Sequence, residues 1–111
     1  RCCQLRRPKL VLLENVPGLV NLQRGACLRT VLLELSACGY YVGYRVLDSV
    51  GLLPQVRARV FIVAIRSDYP EACKAFDFPP VPQLNRSLGE VLEPPQHVPN
   101  SYFIGPKLWA K

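Results

Sequence analysis

Two short stretches of the chain carry side chains that could do chemistry. In "KLVLLENVPGLV", Lys9 to Val20, an apolar run ends in Glu14, Asn15 and Val16 and turns at once at Pro17-Gly18. In "PQVRARVF", Pro54 to Phe61, the residues Gln55, Arg57 and Arg59 alternate. In an extended segment that spacing puts all three on one face. A carboxyl at a strand end can exchange a proton or accept hydrogen bonds, and two guanidiniums beside an amide suit a planar or anionic ligand. Plainer roles fit the same residues: Glu14 bonded to nearby backbone, Arg57 and Arg59 solvated on a strand. Asn15 is expected to tie the turn by bonding adjacent backbone.

The flanking patterns predict the elements that must position these groups. "PKLVLLEN" is continuously apolar and reads as a strand buried on both faces, broken by "NVPGL". From about Gly25 to Cys38 the residues Leu28, Val31, Leu32 and Leu35 recur at helical spacing, with Gly39 as the stop. "YYVGYRVLD" alternates and reads as a strand; "RVFIVAIRS" is a second continuous apolar run and reads as a central strand. Tyr40, Tyr41 and Tyr44 are expected to pack within the sheet. The fold class is therefore α/β. The strand–helix–strand unit predicts a parallel pair joined by a right-handed crossover. The link from Asp48 to Arg57 is too short for another crossover, so the third strand is expected antiparallel to the second. In open α/β sheets ligands bind beyond the carboxyl ends of parallel strands, where Glu14 lies.

Beyond Asp68 the chain is rich in proline, which excludes central strands and long helices. "SLGEVLE" predicts one or two helical turns, with Ser87 as N-cap and Glu90 three residues on. The rest should be extended surface chain, His97 exposed and Trp109 a packing anchor. No internal repeat is evident.

The 111 residues, half of them hydrophobic, suit one small domain or part of a larger one. The chain begins at Arg1 and contains no methionine, and it is read as a piece of a longer polypeptide. A formal charge of +6 points weakly to a polyanionic partner. Five cysteines without paired C-x-x-C spacing, and one histidine, argue against a zinc site. Cys27 and Cys38 suit reduced, buried thiols of an intracellular protein. No apolar run is long enough to span a membrane, and "RCCQLRRPK" lacks the apolar core of a secretory signal.

Together, "LLENVPGLV", the helix and strand that follow it, and "PQVRARVFIVAIR" resemble the cytosine-5 DNA methyltransferase family. The first matches that family's E-N-V motif and the second its Q-x-R-x-R motif. "FDFPPVPQLNRSLGEVLEP" is similar to the segment that leads toward the family's target-recognition region, so the resemblance covers roughly residues 5 to 95. It implies a fragment of a doubly wound, class I methyltransferase (Rossmann-like) sheet, with an antiparallel closing strand. Residues 1–75 would be the C-terminal half of the catalytic domain and 76–111 the proline-rich lead toward target recognition.

The resemblance also implies a chemistry. A cytosine is flipped out of DNA, a cysteine thiolate adds to C6, and C5 takes a methyl group from S-adenosylmethionine. Glu14 matches the glutamate that acts at cytosine N3, a role that a partly apolar pocket would favour. Arg59 matches the arginine that reaches the carbonyl oxygen, and Arg57 its supporting partner. Asn15, Val16 and Gln55 are expected to bind substrate or support the site structurally.

The family's Pro-Cys motif does not occur in this sequence, since no proline precedes Cys2 or Cys3; both are read as the end of a preceding helix. The nucleophile and the glycine-rich cofactor loop are expected outside the chain, so its own cofactor-binding residues are unknown. The "DSVGLLPQ" loop is one residue shorter than the family pattern, with Gly51 displaced. Two alternatives follow: a degenerate, non-catalytic remnant that binds nucleic acid through a basic surface, or an enzyme acting on RNA. The location is expected to be intracellular, nuclear in a eukaryote and otherwise cytoplasm or nucleoid.

Overall fold

The computed structural model describes residues 1–84 and 86–105, so Trp109 lies outside the described residues. A short helix, α1 (Cys2–Arg6), precedes strand β1 (Leu10–Asn15). After one helical turn, α2 (Gly18–Asn21), and a tight turn over Leu22–Gly25 comes the long helix α3 (Ala26–Ala37). Strands β2 (Tyr40–Asp48) and β3 (Ala58–Arg66) follow, then helix α4 (Pro70–Ala75). Cys2 and Cys3 thus lie in a helix, as their sequence context predicts.

Helix α3 forms where the apolar spacing demands it. Leu28 and Leu35 are buried and Val31 and Leu32 half-buried against the same cluster. It ends where Gly39 takes a left-handed φ of 85° and donates its N–H to the Ser36 carbonyl. Its apolar face meets Val60, Ile62 and Ala64 of β3 together with Tyr40, and these residues make the core. Tyr40 fills a polar need as well: its hydroxyl donates to the Pro8 carbonyl at 2.8 Å.

The strand order is β1-β3-β2, with β3 antiparallel to both neighbours. This corrects the expected parallel pair. β1 and β2 point the same way, but β3 folds back from β2 and inserts between them. The physical reason is in β3 itself. Its run from Val60 to Ile65 is apolar at every position, and only the middle strand of this sheet has both edges paired and a covered face. The antiparallel relation of β3 to β2 is as expected.

A second correction concerns β1, which is not buried on both faces. Leu10 and Leu12 are 58% and 62% exposed, because β1 is an edge strand and, of its side chains, only Val11 packs against the core cluster. Tyr41 and Tyr44 are also exposed rather than packed. Cys27 and Cys38 are half-buried rather than buried, and all five cysteines are free.

The face of the sheet opposite α3 is crossed by the proline-rich chain. Arg45 on β2 donates to the Phe78 carbonyl at 2.7 Å and pairs with Asp77 at 3.2 Å. Phe78 lies against Gly43. Farther on, Leu84 N–H donates to the Gly51 carbonyl at 2.9 Å. The segment expected to be extended surface chain is extended and mostly exposed, and these contacts also strap it to the sheet. Beyond it, Ser87 and Glu90 form the reciprocal capping box of a single turn, Leu88–Glu90, as predicted. His97 is exposed, as expected, and belongs to a separate short turn, Pro95–His97. Among the described residues no helix is long and apolar enough to cross a membrane.

Candidate active site

The register of the sheet brings the two chemical stretches together. Glu14 stands opposite Phe61 across the β1–β3 ladder, and Arg59 lies two residues earlier on β3, hence on the same face. Their side chains meet: Arg59 Nε is 2.8 Å from Glu14 Oε1. Arg59 also donates to the Ala58 carbonyl at 2.7 Å, which fixes the guanidinium along the strand end. The pair is half open, with side-chain exposures of 22% for Arg59 and 48% for Glu14.

Around this pair is a cavity of about 370 Å³ on the strap side of the sheet. Its floor is Glu14, Arg59, Phe61 and, from β2, Leu47. Leu52 and Arg57 close one side, with Asp48 and Ser49 at the start of the same loop. The strap supplies the other wall through Pro79, Pro80, Val81 and Pro82. Prolines suit that position, because a backbone crossing a sheet face without ladder partners leaves fewer donors unpaired. The cavity is thus mostly apolar, with a carboxylate and two guanidiniums converging on it.

Glu14, Arg57 and Arg59 all line the cavity. Gln55 does not. The expectation of one extended face from Gln55 to Arg59 holds only at its end, since β3 begins at Ala58 and Gln55 lies in a bend. Gln55 supports the loop through backbone: its carbonyl accepts from Ser49 Oγ at 2.7 Å and its N–H donates to Leu53 O at 2.7 Å. Asn15 ties the turn as expected, its Oδ1 accepting the Val16 N–H at 2.8 Å. Val16 is exposed at that turn and does not line the cavity.

Two features of the site went unpredicted. One is the strap, whose return to the sheet depends on tertiary contact; its one sequence signal is Gly51. A Cβ there would stand 1.9 Å from the Pro82 carbonyl oxygen and 2.9 Å from Val81 Cγ1. The other is Asp48, whose Oδ1 accepts from Val50 N at 3.1 Å and Arg57 N at 2.9 Å. An aspartate at a strand-to-loop junction is the usual signal of such a side-chain turn. Among the described residues no group of acids, cysteines and histidines could hold a metal ion.

The fold and cavity define an α/β protein that holds an acid and a guanidinium side by side in a mostly apolar cavity. Comparison with known proteins gives this class a family. The model of the C-5 cytosine-specific DNA methylase family matches residues 1–111, and the chain belongs to that family. It is 38% identical over 107 residues to the type II methyltransferase M.NgoBI of Neisseria gonorrhoeae, covering 96% of this chain and 32% of that protein. It is 35% identical over 104 residues to the type II methyltransferase M.DsaV of Dactylococcopsis salina, covering 93% and 29%. With M.BanI of Aneurinibacillus aneurinilyticus, also a type II methyltransferase, the identity is 42% over 66 residues, 59% of this chain and 15% of that protein. The chain thus spans about a third or less of the length of these relatives.

Proposed function

We propose that this chain is the base-binding part of a DNA cytosine-5 methyltransferase, with Glu14 at N3 of a flipped cytosine and Arg59 at its carbonyl oxygen. The observation that carries this reading is the 2.8 Å contact of Glu14 with Arg59 inside the cavity. Cytosine presents N3 and its carbonyl oxygen as adjacent acceptors on one edge. A protonated carboxyl and a guanidinium side by side are the complementary donors. Without a base the two groups neutralise each other. An entering base takes a donor from Arg59, and Glu14, released from the pair, takes up a proton from water before it donates to N3.

The chain's own residues then act on the ring. Glu14 holds a proton at N3, which draws electron density from C6 and favours addition of a thiolate there. Arg59 stabilises the charge that develops on the carbonyl oxygen. Arg57, on the adjoining loop, supports that end of the pocket. Leu47, Leu52, Phe61 and the proline strap give the half-open pocket apolar walls, and a base seated there would displace water and strengthen these hydrogen bonds. Asn15 holds the turn after Glu14, and Gln55 the loop before Arg57.

S-adenosylmethionine supplies the methyl group in this reading, but the residues present do not fit it. Both carboxylates of the cavity are engaged, Glu14 with Arg59 and Asp48 with two backbone amides. The turn after β1 holds one glycine, Gly18, rather than a glycine-rich loop. The donor's site and the cysteine nucleophile are assigned to residues outside 1–111.

The three strands are proposed as one side of a doubly wound class I methyltransferase sheet. The uncovered leucines of β1, a strand of interior composition, support this. Residues 1–75 would then be catalytic domain and 76–111 the lead toward target recognition, with the strap at the start of that lead closing the base pocket. DNA is the proposed partner, in keeping with the net charge of +6, and the location is intracellular.

The test is methyl transfer to duplex DNA by the complete gene product. Glu14→Gln keeps the shape and a hydrogen-bond donor but cannot hold a transferable proton. The rate should fall by about 10²–10⁴, the usual span for a lost acid–base group. A rate equal to that of the unsubstituted protein rejects the role of Glu14.

A further inference from the structure

We infer that Asp48 is a positioning residue: one carboxylate oxygen clamps both ends of the loop before β3 and so holds Arg59 against Glu14 and Arg57 at the cavity wall. Asp48 is the last residue of β2 and pairs with Ala58, the first of β3. Between them the chain makes a detour through Ser49–Arg57. Asp48 Oδ1 accepts the N–H of Val50, two residues on, and the N–H of Arg57, nine residues on.

An ordinary side-chain turn at a loop start accounts for the first bond but not for the second. Of the loop's other internal bonds short of Arg57, three involve Ser49, whose carbonyl accepts from Leu52 and Leu53 and whose hydroxyl donates to the Gln55 carbonyl, and one runs from the Gln55 N–H to the Leu53 carbonyl. They shape the front of the loop. Among the described residues only two bonds reach Arg57. One is the Asp48 carboxylate at 2.9 Å, and the other is Ser49 N–H to the Arg57 carbonyl at 3.4 Å, near the limit for a hydrogen bond. Arg57 sits at the entry to β3, and Arg59 follows with the same facing. The direction in which the chain enters β3 therefore sets both guanidiniums, and the carboxylate fixes that direction. Charge adds to the effect, because hydrogen bonds to an ionised acceptor are the stronger kind. Asp48 itself lies in the cavity wall, yet its bonding oxygen is turned to the backbone, so it acts through the arginines and not on a ligand.

The consequence for methyl transfer rests on the function proposed above; the clamp does not. The experiment uses the complete gene product labelled with nitrogen-15 arginine and valine. In the unsubstituted protein the Val50 and Arg57 amides should exchange with solvent at least about tenfold more slowly than the Val56 amide, the margin one charge-assisted bond gives. Equal rates overturn the clamp, even if every variant fails to fold. Asp48→Ala should abolish that margin at Arg57, shift the Arg59 Nε–H resonance away from its ion-paired position, and lower kcat/KM about tenfold. Asp48→Asn keeps the acceptor oxygen and should restore exchange, resonance and kcat/KM to within about threefold of the unsubstituted protein. An Asp48→Ala protein with unchanged Arg57 exchange and an unchanged Arg59 Nε–H resonance refutes the proposal. So does an Asp48→Asn protein that behaves like Asp48→Ala. If Glu14→Gln leaves methyl transfer intact, the base-pocket reading falls while the exchange and resonance results still decide the clamp.

Discussion

Gly51 offers the sharpest structural test, because its glycine is required for space and not for backbone conformation. Its φ is not among the positive values of this chain, so an alanine could adopt the same backbone. The obstacle is the strap. The added methyl would stand 1.9 Å from the Pro82 carbonyl oxygen, where real contacts essentially never fall below 3.0 Å, and 2.9 Å from Val81 Cγ1. The first clash is with backbone, so no side-chain rotation relieves it. The strap must withdraw by about an ångström or more, and the Leu84 N–H to Gly51 O bond of 2.9 Å goes with it. Overpacking of this kind costs about 1–3 kcal/mol, and the lost hydrogen bond about 0.5–1.5 kcal/mol. Because the strap can lift without unfolding the sheet, the measured loss of global stability should lie at the lower end, about 1–2 kcal/mol. The assay is urea denaturation of Gly51→Ala together with amide exchange at Leu84 and Val81. Leu84 should exchange at least tenfold faster, since its bond opens in the native state. A Gly51→Ala protein with unchanged Leu84 exchange and stability within about 0.5 kcal/mol would show that the strap does not rest on Gly51, and the cavity would lose its proline wall.

Other consequences concern pH and the isolated chain. The hydrogen bond from Arg66 at 2.7 Å holds the Asp68 carboxyl below its ordinary range. The pair therefore contributes stability above the unfolded aspartate value, about 3.9, and loses it as pH falls through the lower native value. Acid titrations of Asp68→Asn should lack that component, and an unaltered acid limb would refute it. Burial, with the Cys3 thiol nearby adding to it, raises the Tyr40 hydroxyl above its ordinary value. That stability is fully present below about pH 10 and is lost as pH rises through the higher native value; alkaline denaturation of Tyr40→Phe should show a flatter limb. Residues 1–111 alone should transfer no methyl group, and covalent capture of a mechanism-based cytosine analogue by this chain would contradict that.

How much of this could be read from sequence differs between the site and its setting. Glu14 and Arg59 were singled out by the resemblance carried by E-N-V and Q-x-R-x-R; pattern alone placed them at element ends, Glu14 closing an apolar run and Arg59 opening "RVFIVAIR" with period-two spacing from Arg57. Helix α3 was legible from pattern, its apolar face and its terminal glycine agreeing. The strand order was not. An apolar run states how much burial a strand needs, but not which neighbours supply it, and both β1 and β3 carry such runs. The short link after Asp48 gave the direction of β3. Its insertion between β1 and β2 depends on competition for two edges, which no local pattern records.

The same distinction separates the acid–guanidinium pair from its pocket. The pair needs only two strands in register, with Glu14 opposite Phe61 and Arg59 two residues back. The pocket needs chain from residues 79–82 to return across the sheet, a contact that spans some thirty residues from Gly51. Prolines announce only that this segment is extended and poor in donors. Glycine at 51 announces only that something comes close. The two signals became one statement when the Pro82 carbonyl proved to occupy the space where a Cβ of residue 51 would be. Asp48 belongs with them: its bond to Val50 follows from a local turn rule, but its bond to Arg57 requires the closed loop. The acid–guanidinium pair is set by strand register. Its dielectric and its aim are set by the loop and the strap, so substitutions at Asp48 and Gly51 should change the site without touching either charge of the pair.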